Sequence, residues 1–149
     1  MMVIAISMFA LSSCVSDPCK DVTCENGGTP TENGSNCNCV CAVGYTGTSC
    51  QTETRSMYVG TYKVSGTAVN SSGSSTVTDL IVTVSNSTAA VEKINFSYVI
   101  GGDTYSLVGT FTDASAFTVA SQTALGLTYS GTGSFTSSTM TVSLTEVDG

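Results

Sequence analysis

The sequence predicts an all-β protein: a small disulfide-rich module followed by an antiparallel β-domain, either a meandering β-sandwich or a small barrel. Six of the seven cysteines in the 149-residue chain fall between residues 19 and 50. The 99 residues from Gln51 onward contain no Cys, and their 19 Thr and 17 Ser alternate with apolar residues. A period of two is typical of half-buried antiparallel strands, and no window shows a convincing helical period.

The composition excludes several kinds of function. The chain has no His and only three Lys, and 11 acidic residues give it a formal net charge of −7. Imidazole catalysis and His-type metal sites are therefore excluded, and lysine Schiff bases are nearly so. Nucleic acid is not an expected partner, because nothing in the chain could replace the counterions of a phosphate backbone. We expect no cofactor.

Residues 1 to 13 have the features of a signal peptide. Residues 2 to 11 are uncharged and apolar, a run as long as the hydrophobic part of a signal peptide and too short to cross a bilayer as a helix. No Lys or Arg precedes this run, which leaves open a start further upstream. The run ends in Leu11-Ser12-Ser13-Cys14, which resembles the lipobox of bacterial lipoproteins.

The lipobox resemblance implies a lipid anchor at Cys14. In that family the chain is cut just before the cysteine and the thiol carries the lipid, so residues 14 to 18 would tether the protein to a membrane. The alternative is an ordinary signal peptide that leaves Cys14 as an unpaired seventh cysteine. Without Cys14 six cysteines remain, the even number that a disulfide framework requires, which favours the anchor.

Residues 19 to 50 resemble an EGF-like module. Their cysteine density is typical of an oxidising compartment, and the spacing Cys37-x-Cys39-x-Cys41 lacks the longer gaps of zinc sites. The resemblance rests on Cys24-Glu-Asn-Gly-Gly and on Cys39-x-Cys41-x-x-Gly44-Tyr45-x-Gly47-x-x-Cys50, with Cys37 displaced from the usual place of the third cysteine. Six cysteines alone permit 15 pairings. The resemblance implies one of them, Cys19–Cys37, Cys24–Cys39 and Cys41–Cys50.

The module is interpreted as a rigid spacer, with a recognition surface as the alternative. Calcium-binding modules of this family carry several oxygen ligands before the first cysteine, whereas Asp17 is the only carboxylate there. Calcium requires about six to eight oxygen ligands, so no metal is expected. Residues 51 to 55 are interpreted as a short polar linker.

Residues 56 to 149 are predicted to form the β-domain, with seven strands separated by Gly, Asn, Ser and Asp. The strands are expected near Met57–Ser65, Thr76–Val84, Val91–Ile100, Thr104–Thr112, Ala116–Ala120, Leu125–Gly131 and Phe135–Thr145. A two-residue turn at Gly101-Gly102 would set Tyr98 opposite Tyr105, whereas a three-residue loop would mix the two faces. The same turn sets Phe96 opposite Leu107 and Ile94 opposite Gly109. A turn at Ser137-Ser138 would likewise set Phe135 opposite Met140, with Gly133 and Gly131 opposite Val142 and Leu144.

Two short stretches add a resemblance for this domain. Val59-Gly60-Thr61-Tyr62-x-Val64 and Ser130-Gly131-Thr132-Gly133 resemble the β-domain of small Bacteroidetes lipoproteins, in which an EGF-like piece lies between the lipid anchor and a β-rich domain. The first stretch also resembles lipocalin-like barrels. The resemblance implies an outer membrane lipoprotein at the cell surface or the periplasmic face.

No catalytic residues are expected. The carboxylates of the domain are interpreted as solvated groups at strand edges or turns, rather than as a converging pair. They are Asp79, Glu92, Asp103, Asp113, Glu146 and Asp148. Ser residues lack both a His base and a Gly-x-Ser-x-Gly motif. Tyr58 and Tyr62 are the candidate ligand contacts, whereas Tyr98 and Tyr105 fall on the predicted core face.

Two functional hypotheses follow. The first is a non-enzymatic, membrane-anchored lipoprotein that presents its β-domain for binding or adhesion, with a glycan or a protein as ligand. The second is a lipocalin-like carrier of a small apolar ligand. A cavity would favour the carrier, whereas an interior filled by Tyr, Phe and Leu would favour the first hypothesis. Binding is expected to use exposed positions such as Tyr58 and to vary little between about pH 5 and 8, because no side chain here ordinarily titrates in that range.

Overall fold

The computed structural model describes residues 17–70 and 73–148, and it confirms the predicted all-β class. The strands are β1 (Thr29–Asn33), β2 (Asn36–Val40), β3 (Tyr45–Thr46), β4 (Thr52–Glu53), β5 (Gly60–Asn70), β6 (Gly73–Asn86), β7 (Lys93–Ile100), β8 (Asp103–Phe111), β9 (Ala116–Ala124), β10 (Leu127–Phe135) and β11 (Met140–Asp148). One 3₁₀ helix spans Thr54–Met57. Within those ranges, no helix has the length and apolar content needed to span a membrane. The predicted signal peptide and the lipidation position Cys14 lie outside the described residues.

The N-terminal module consists of two small hairpins and three disulfide bonds. Strand β1 pairs with β2, and β3 pairs with β4. The bonds join Cys19 to Cys37, Cys24 to Cys39 and Cys41 to Cys50, the pairs implied by the EGF-like resemblance. A Cβ at Gly28 would lie 2.7 Å from the Cys50 sulfur, so a residue without a side chain is needed beside the last bridge. The Asp17 carboxylate accepts a hydrogen bond from the Cys19 N–H at 2.8 Å and so caps the first turn.

The segment interpreted as a polar linker, residues 51 to 55, is regular structure. Thr52 and Glu53 form β4, and the 3₁₀ helix begins at the next residue. The Thr54 N–H donates to the Gly44 carbonyl at 2.8 Å, which ties the segment back to the disulfide-rich module. The chain therefore enters the β-domain through a fixed connection.

The β-domain is one seven-stranded antiparallel sheet in which β5 to β11 lie side by side in chain order. The sheet curls until its edge strands β5 and β11 approach each other. It is therefore a single curled sheet and not the two stacked sheets of a sandwich, which resolves the alternative left open by the sequence. Several predicted strand ends differ from the observed ones by a few residues, and one predicted strand was wrong: Phe135–Thr145 contains the end of β10, a turn, and most of β11.

Both predicted registers are confirmed. Tyr98 lies opposite Tyr105, Phe96 opposite Leu107 and Ile94 opposite Gly109. Gly101 and Gly102 have φ values of 64° and 94°, as a two-residue hairpin turn of this type requires. Phe135 lies opposite Met140, Gly133 opposite Val142 and Gly131 opposite Leu144.

One end of the curled sheet, next to the disulfide-rich module, is filled with aromatic rings. Phe135 is at the centre, with ring centroids 4.4 Å from Tyr58, 5.2 Å from Phe117 and 6.2 Å from Phe111. Gly109 leaves room for this cluster, because a Cβ there would lie 2.7 Å from the Phe96 ring. These rings stabilise the fold by burying large apolar areas in close contact.

Candidate functional site

A cavity of about 440 Å³ occupies the other end of the curled sheet. Its walls are mostly aliphatic, and it extends to the end of the sheet that carries the Gly101-Gly102 turn, away from the disulfide-rich module. The lining residues include Val64, Leu80, Val82, Leu107, Leu127, Val142 and Leu144. These are inward-facing positions where the sequence places Val and Leu instead of the Phe residues that fill the opposite end. The smaller side chains leave the space open.

The cavity wall includes the seam between the two edge strands. Ser65 and Thr67 of β5 line it on one side, and Leu144 of β11 lines it on the other. In the described strands these two edges are not joined in a hydrogen-bonded ladder, since β5 and β11 are the two ends of the sheet order.

A second gap in the sheet, between β8 and β9, is closed by a side chain. The backbone pairing of these strands covers Thr110 with Thr118 and Phe111 with Phe117. Beyond it, the Gln122 amide accepts a hydrogen bond from the Val108 N–H and donates one to the Val108 carbonyl, both at 2.8 Å. An amide side chain has the donor and the acceptor of a peptide group, so Gln122 replaces a strand neighbour here.

Three tyrosines and one carboxylate face the cavity near its open end: Tyr98, Tyr105, Tyr129 and Glu146. The rings of Tyr98 and Tyr105 are parallel, with an interplanar angle of 2° and centroids 5.2 Å apart. Tyr129 meets Tyr105 edge to face at 6.3 Å. The antiparallel register sets Tyr129 of β10 opposite Glu146 of β11.

Burial and the Glu146 carboxylate together raise the pKa values of two tyrosines in this cluster. Burial raises the pKa of Tyr129, and the Glu146 carboxylate opposite it raises the pKa further. Burial, followed by the nearby Tyr105 and Glu146, raises the pKa of Tyr98 to about 12. These phenols therefore remain neutral hydrogen-bonding groups at neutral pH. The residues that line the cavity include no Lys or Arg, so no basic side chain in its wall balances Glu146.

The two tyrosines expected to contact a ligand are not in the cavity wall. Tyr58 is buried, and the expectation that it is exposed was wrong: its ring stacks on Phe135 and its hydroxyl donates to the Ala114 carbonyl at 2.9 Å. Tyr62 is half-buried, and its hydroxyl donates to the Tyr58 carbonyl at 3.0 Å. Both side chains belong to the aromatic end of the core, where they pack and close hydrogen bonds.

Glu146, expected as a solvated group at a strand edge, does lie on the edge strand β11, but it is half-buried and lines the cavity. Its side chain lies on the inner face of β11, in line with Met140 and Val142. The signal was present in the sequence: extending the Phe135–Met140 register by six further pairs places Glu146 opposite Tyr129, on the same face as Met140. By contrast, Asp79 is exposed and pairs with Lys63 at 3.2 Å, and Asp113 is exposed in the turn after β8.

Comparison with known proteins gives one short similarity. The chain is similar to complement component C8 beta chain of Oryctolagus cuniculus, with 40% identity over 38 residues, which is 26% of this chain and 6% of that protein. The match therefore spans a small fraction of the length of that relative. No family model and no solved structure matches the chain. Together with the three disulfide bonds, the similarity supports a small disulfide-rich domain in the N-terminal region.

Proposed function

We propose that this protein is a non-enzymatic carrier that holds a small, mainly apolar molecule in the cavity of its β-domain. The cavity of about 440 Å³ is the observation that favours this function over adhesion through a filled, rigid domain. Ligand sites commonly measure about 300 to 1,000 Å³ and combine apolar walls with a few polar groups. The aromatic end of the core gives the sheet its stability, so the open end need not be filled for the domain to fold.

The carrier is proposed to act outside the cytoplasm, attached to a membrane. The three disulfide bonds support an oxidising compartment. The lipobox-like Leu11-Ser12-Ser13-Cys14 supports a lipid on Cys14 and an outer membrane location, with the disulfide-rich module as a spacer. Mass spectrometry of the native protein should find a lipidated Cys14 at its N-terminus. A Cys14→Ser chain that partitions into detergent as fully as the wild type would contradict the anchor.

Binding of a neutral fluorescent probe tests the carrier function. Phenylnaphthylamine should bind saturably to the Cys14→Ser chain, in which no attached lipid competes for the cavity. Val142→Phe places a ring in the cavity and should weaken binding by about tenfold or more, because the added side chain occupies the space that the probe needs. Ser143→Phe, on the outer face of the same strand, is the matched control and should bind normally.

Two outcomes would contradict the carrier function. One is the absence of saturable probe binding to the Cys14→Ser chain. The other is equal affinity of Val142→Phe and Ser143→Phe, which would place the probe elsewhere on the protein. Either result would leave adhesion through the outer surface of the β-domain as the proposal to pursue.

A further inference from the structure

We propose that the ligand of the cavity carries a positively charged amine, which pairs with Glu146 while the apolar part of the ligand fills the space beside it. This inference rests on the proposed carrier function and names the chemical class of its ligand. It is carried by the position of one carboxylate in a mostly apolar wall that contains no basic side chain.

Glu146 has acceptor capacity that the protein does not use. A carboxylate offers about four lone-pair positions to hydrogen-bond donors. Tyr129 lies opposite Glu146 across the β10–β11 ladder, and its single hydroxyl proton can satisfy at most one of these positions. No lining residue carries a positive charge, and the two lysines of residues 56 to 149 lie elsewhere, with Lys63 paired to Asp79 on the exposed surface. An ammonium group has up to three hydrogen-bond donors and a positive charge. It therefore matches the unused acceptor positions and the negative charge of Glu146.

A neutral ligand would fit this site less well. Any molecule that fills the cavity removes water from the carboxylate, and a buried charge without an opposite partner is unfavourable. A neutral alcohol restores one hydrogen bond, whereas an ammonium restores both the hydrogen bonds and the charge balance. The observed site therefore penalises neutral ligands relative to cationic ones.

An anionic ligand such as a fatty acid would be worse still. Its carboxylate would approach Glu146 with no basic side chain in the cavity wall to separate the two charges. Asp103, at the turn on the open side of the cavity, adds a further negative charge there. Residues 56 to 149 contain six carboxylates and two lysines, so the field of the whole domain also attracts cations.

Competition with three molecules of equal chain length tests this inference. Decylammonium, decanol and decanoate, each below its micelle concentration, should displace phenylnaphthylamine from the Cys14→Ser chain in that order of affinity. Decylammonium should bind about tenfold more tightly than decanol, the ratio expected of one charge-assisted hydrogen bond in a partly buried site.

Variants locate the preference at Glu146. In the same Cys14→Ser background, Glu146→Gln should bring decylammonium and decanol close to equal affinity, without weakening decanol. Asp103→Asn removes an exposed carboxylate at the same end of the sheet that does not line the cavity, so it should reduce the preference far less than Glu146→Gln does. Tyr129→Phe should also keep it, because it removes the hydroxyl but leaves the carboxylate in place. Circular dichroism of each variant checks that the sheet is intact.

The outcomes separate this inference from the carrier function. If phenylnaphthylamine and decanol bind but decanoate competes as well as decylammonium, the amine inference is wrong and the carrier function stands. The same conclusion follows if Glu146→Gln keeps the full ammonium preference. If neither phenylnaphthylamine nor decanol binds, the carrier function itself fails. If Glu146→Gln does not fold, the order of affinity of decylammonium, decanol and decanoate for the chain with Glu146 intact still supports or overturns the inference.

Discussion

At the scale of single residues, Tyr58 is a side chain that the sequence predicted to be exposed but that packs in the core. Its ring lies 5.8 Å from that of Phe111 and 4.4 Å from that of Phe135, and its hydroxyl donates to the Ala114 carbonyl. We expect Tyr58→Phe to keep the packing and lose about 1 kcal/mol of unfolding free energy. Tyr58→Ala should lose about 3–5 kcal/mol, because it also leaves a cavity.

Urea unfolding measures both changes, and probe titration supplies the functional control. Tyr58 does not line the cavity, so Tyr58→Phe should bind phenylnaphthylamine as the unmodified chain does. A clear loss of probe affinity with unchanged stability would restore Tyr58 as a ligand contact.

Asp113 makes the stability of the fold depend on pH. Its carboxylate accepts hydrogen bonds from the N–H groups of Ala116 and Ser115, both at 2.7 Å, and these bonds hold the pKa of the carboxyl below its usual value. A folded pKa below that of the unfolded chain means that Asp113 stabilises the fold above roughly pH 4, and that this stabilisation is lost as the pH falls through the folded value.

We therefore expect Asp113→Ala to cost about 1 kcal/mol at neutral pH, a modest value because the turn is exposed. The difference from the wild type should shrink as the pH falls below roughly 4, the ordinary aspartate value, toward the lower pKa of the folded carboxyl. Asp113→Asn is the matched control, since its amide oxygen can still accept these bonds. Urea unfolding at a series of pH values measures the effect, and a gap that stays constant with pH would contradict it.

At the scale of the element, Gly133 shows why β10 contains glycines on its inner face. A Cβ there would collide with the Phe117 ring and would lie 2.6 Å from the Thr141 carbonyl oxygen of β11. The neighbouring backbone cannot move away as a flexible side chain could. We expect Gly133→Ala to cost about 1–3 kcal/mol in unfolding free energy. Thr132→Ala, on the exposed face of the same strand, should cost much less. If the two substitutions cost the same, strand propensity and not the lack of space for a Cβ would explain the glycine at position 133.

The strands and their registers could be predicted because a period of two and the Gly101-Gly102 turn fix which side chains share a face. Tyr98 opposite Tyr105 follows from that arithmetic alone. The same parity rule, applied from Val64 back to Tyr58 and from Met140 forward to Glu146, points both of the misplaced residues inward. The sequence interpretation failed there because it relied on the usual exposure of carboxylates and of tyrosine in a polar sequence, and a functional cavity is where such averages fail.

The cavity itself could not be predicted. Its existence depends on how far the sheet curls, and that depends on bulges that no local pattern announces. One lies at Asp79, which has a φ of 56° although it is not glycine, where the β5–β6 register shifts between Val64 and Gly66. A second shift interrupts the β9–β10 register between Tyr129 and Gly131. Bulges of this kind increase the local twist and bend the bulged strand, which favours a closer approach of the sheet edges.

At the scale of the whole molecule, one side chain ties the disulfide-rich module to the β-domain. The Arg55 guanidinium donates to the carbonyl oxygens of Ser87 and Ala90, in the loop between β6 and β7, and it pairs with the Glu53 carboxylate at 2.9 Å. Gly44 of the module packs against the same loop, where a Cβ would lie 3.1 Å from the Glu92 nitrogen. The module is therefore a fixed base under the aromatic end of the sheet and leaves the cavity end open.

Reduction of the three disulfide bonds tests how independent the β-domain is. The module is too small to bury a stabilising core, so we expect it to unfold when its bridges are reduced. The sheet should survive, because the buried core cluster lies between Tyr58 and Phe135, in a stretch without cysteine. Its melting temperature should fall, since the base that holds Arg55 against the β6–β7 loop is lost.

Circular dichroism with and without reductant measures both the unfolding of the module and the melting temperature of the sheet. Arg55→Ala is the companion variant, because it loosens the base while the disulfide bonds stay intact. Loss of the β signal on reduction would mean that the domain depends on the module for its fold.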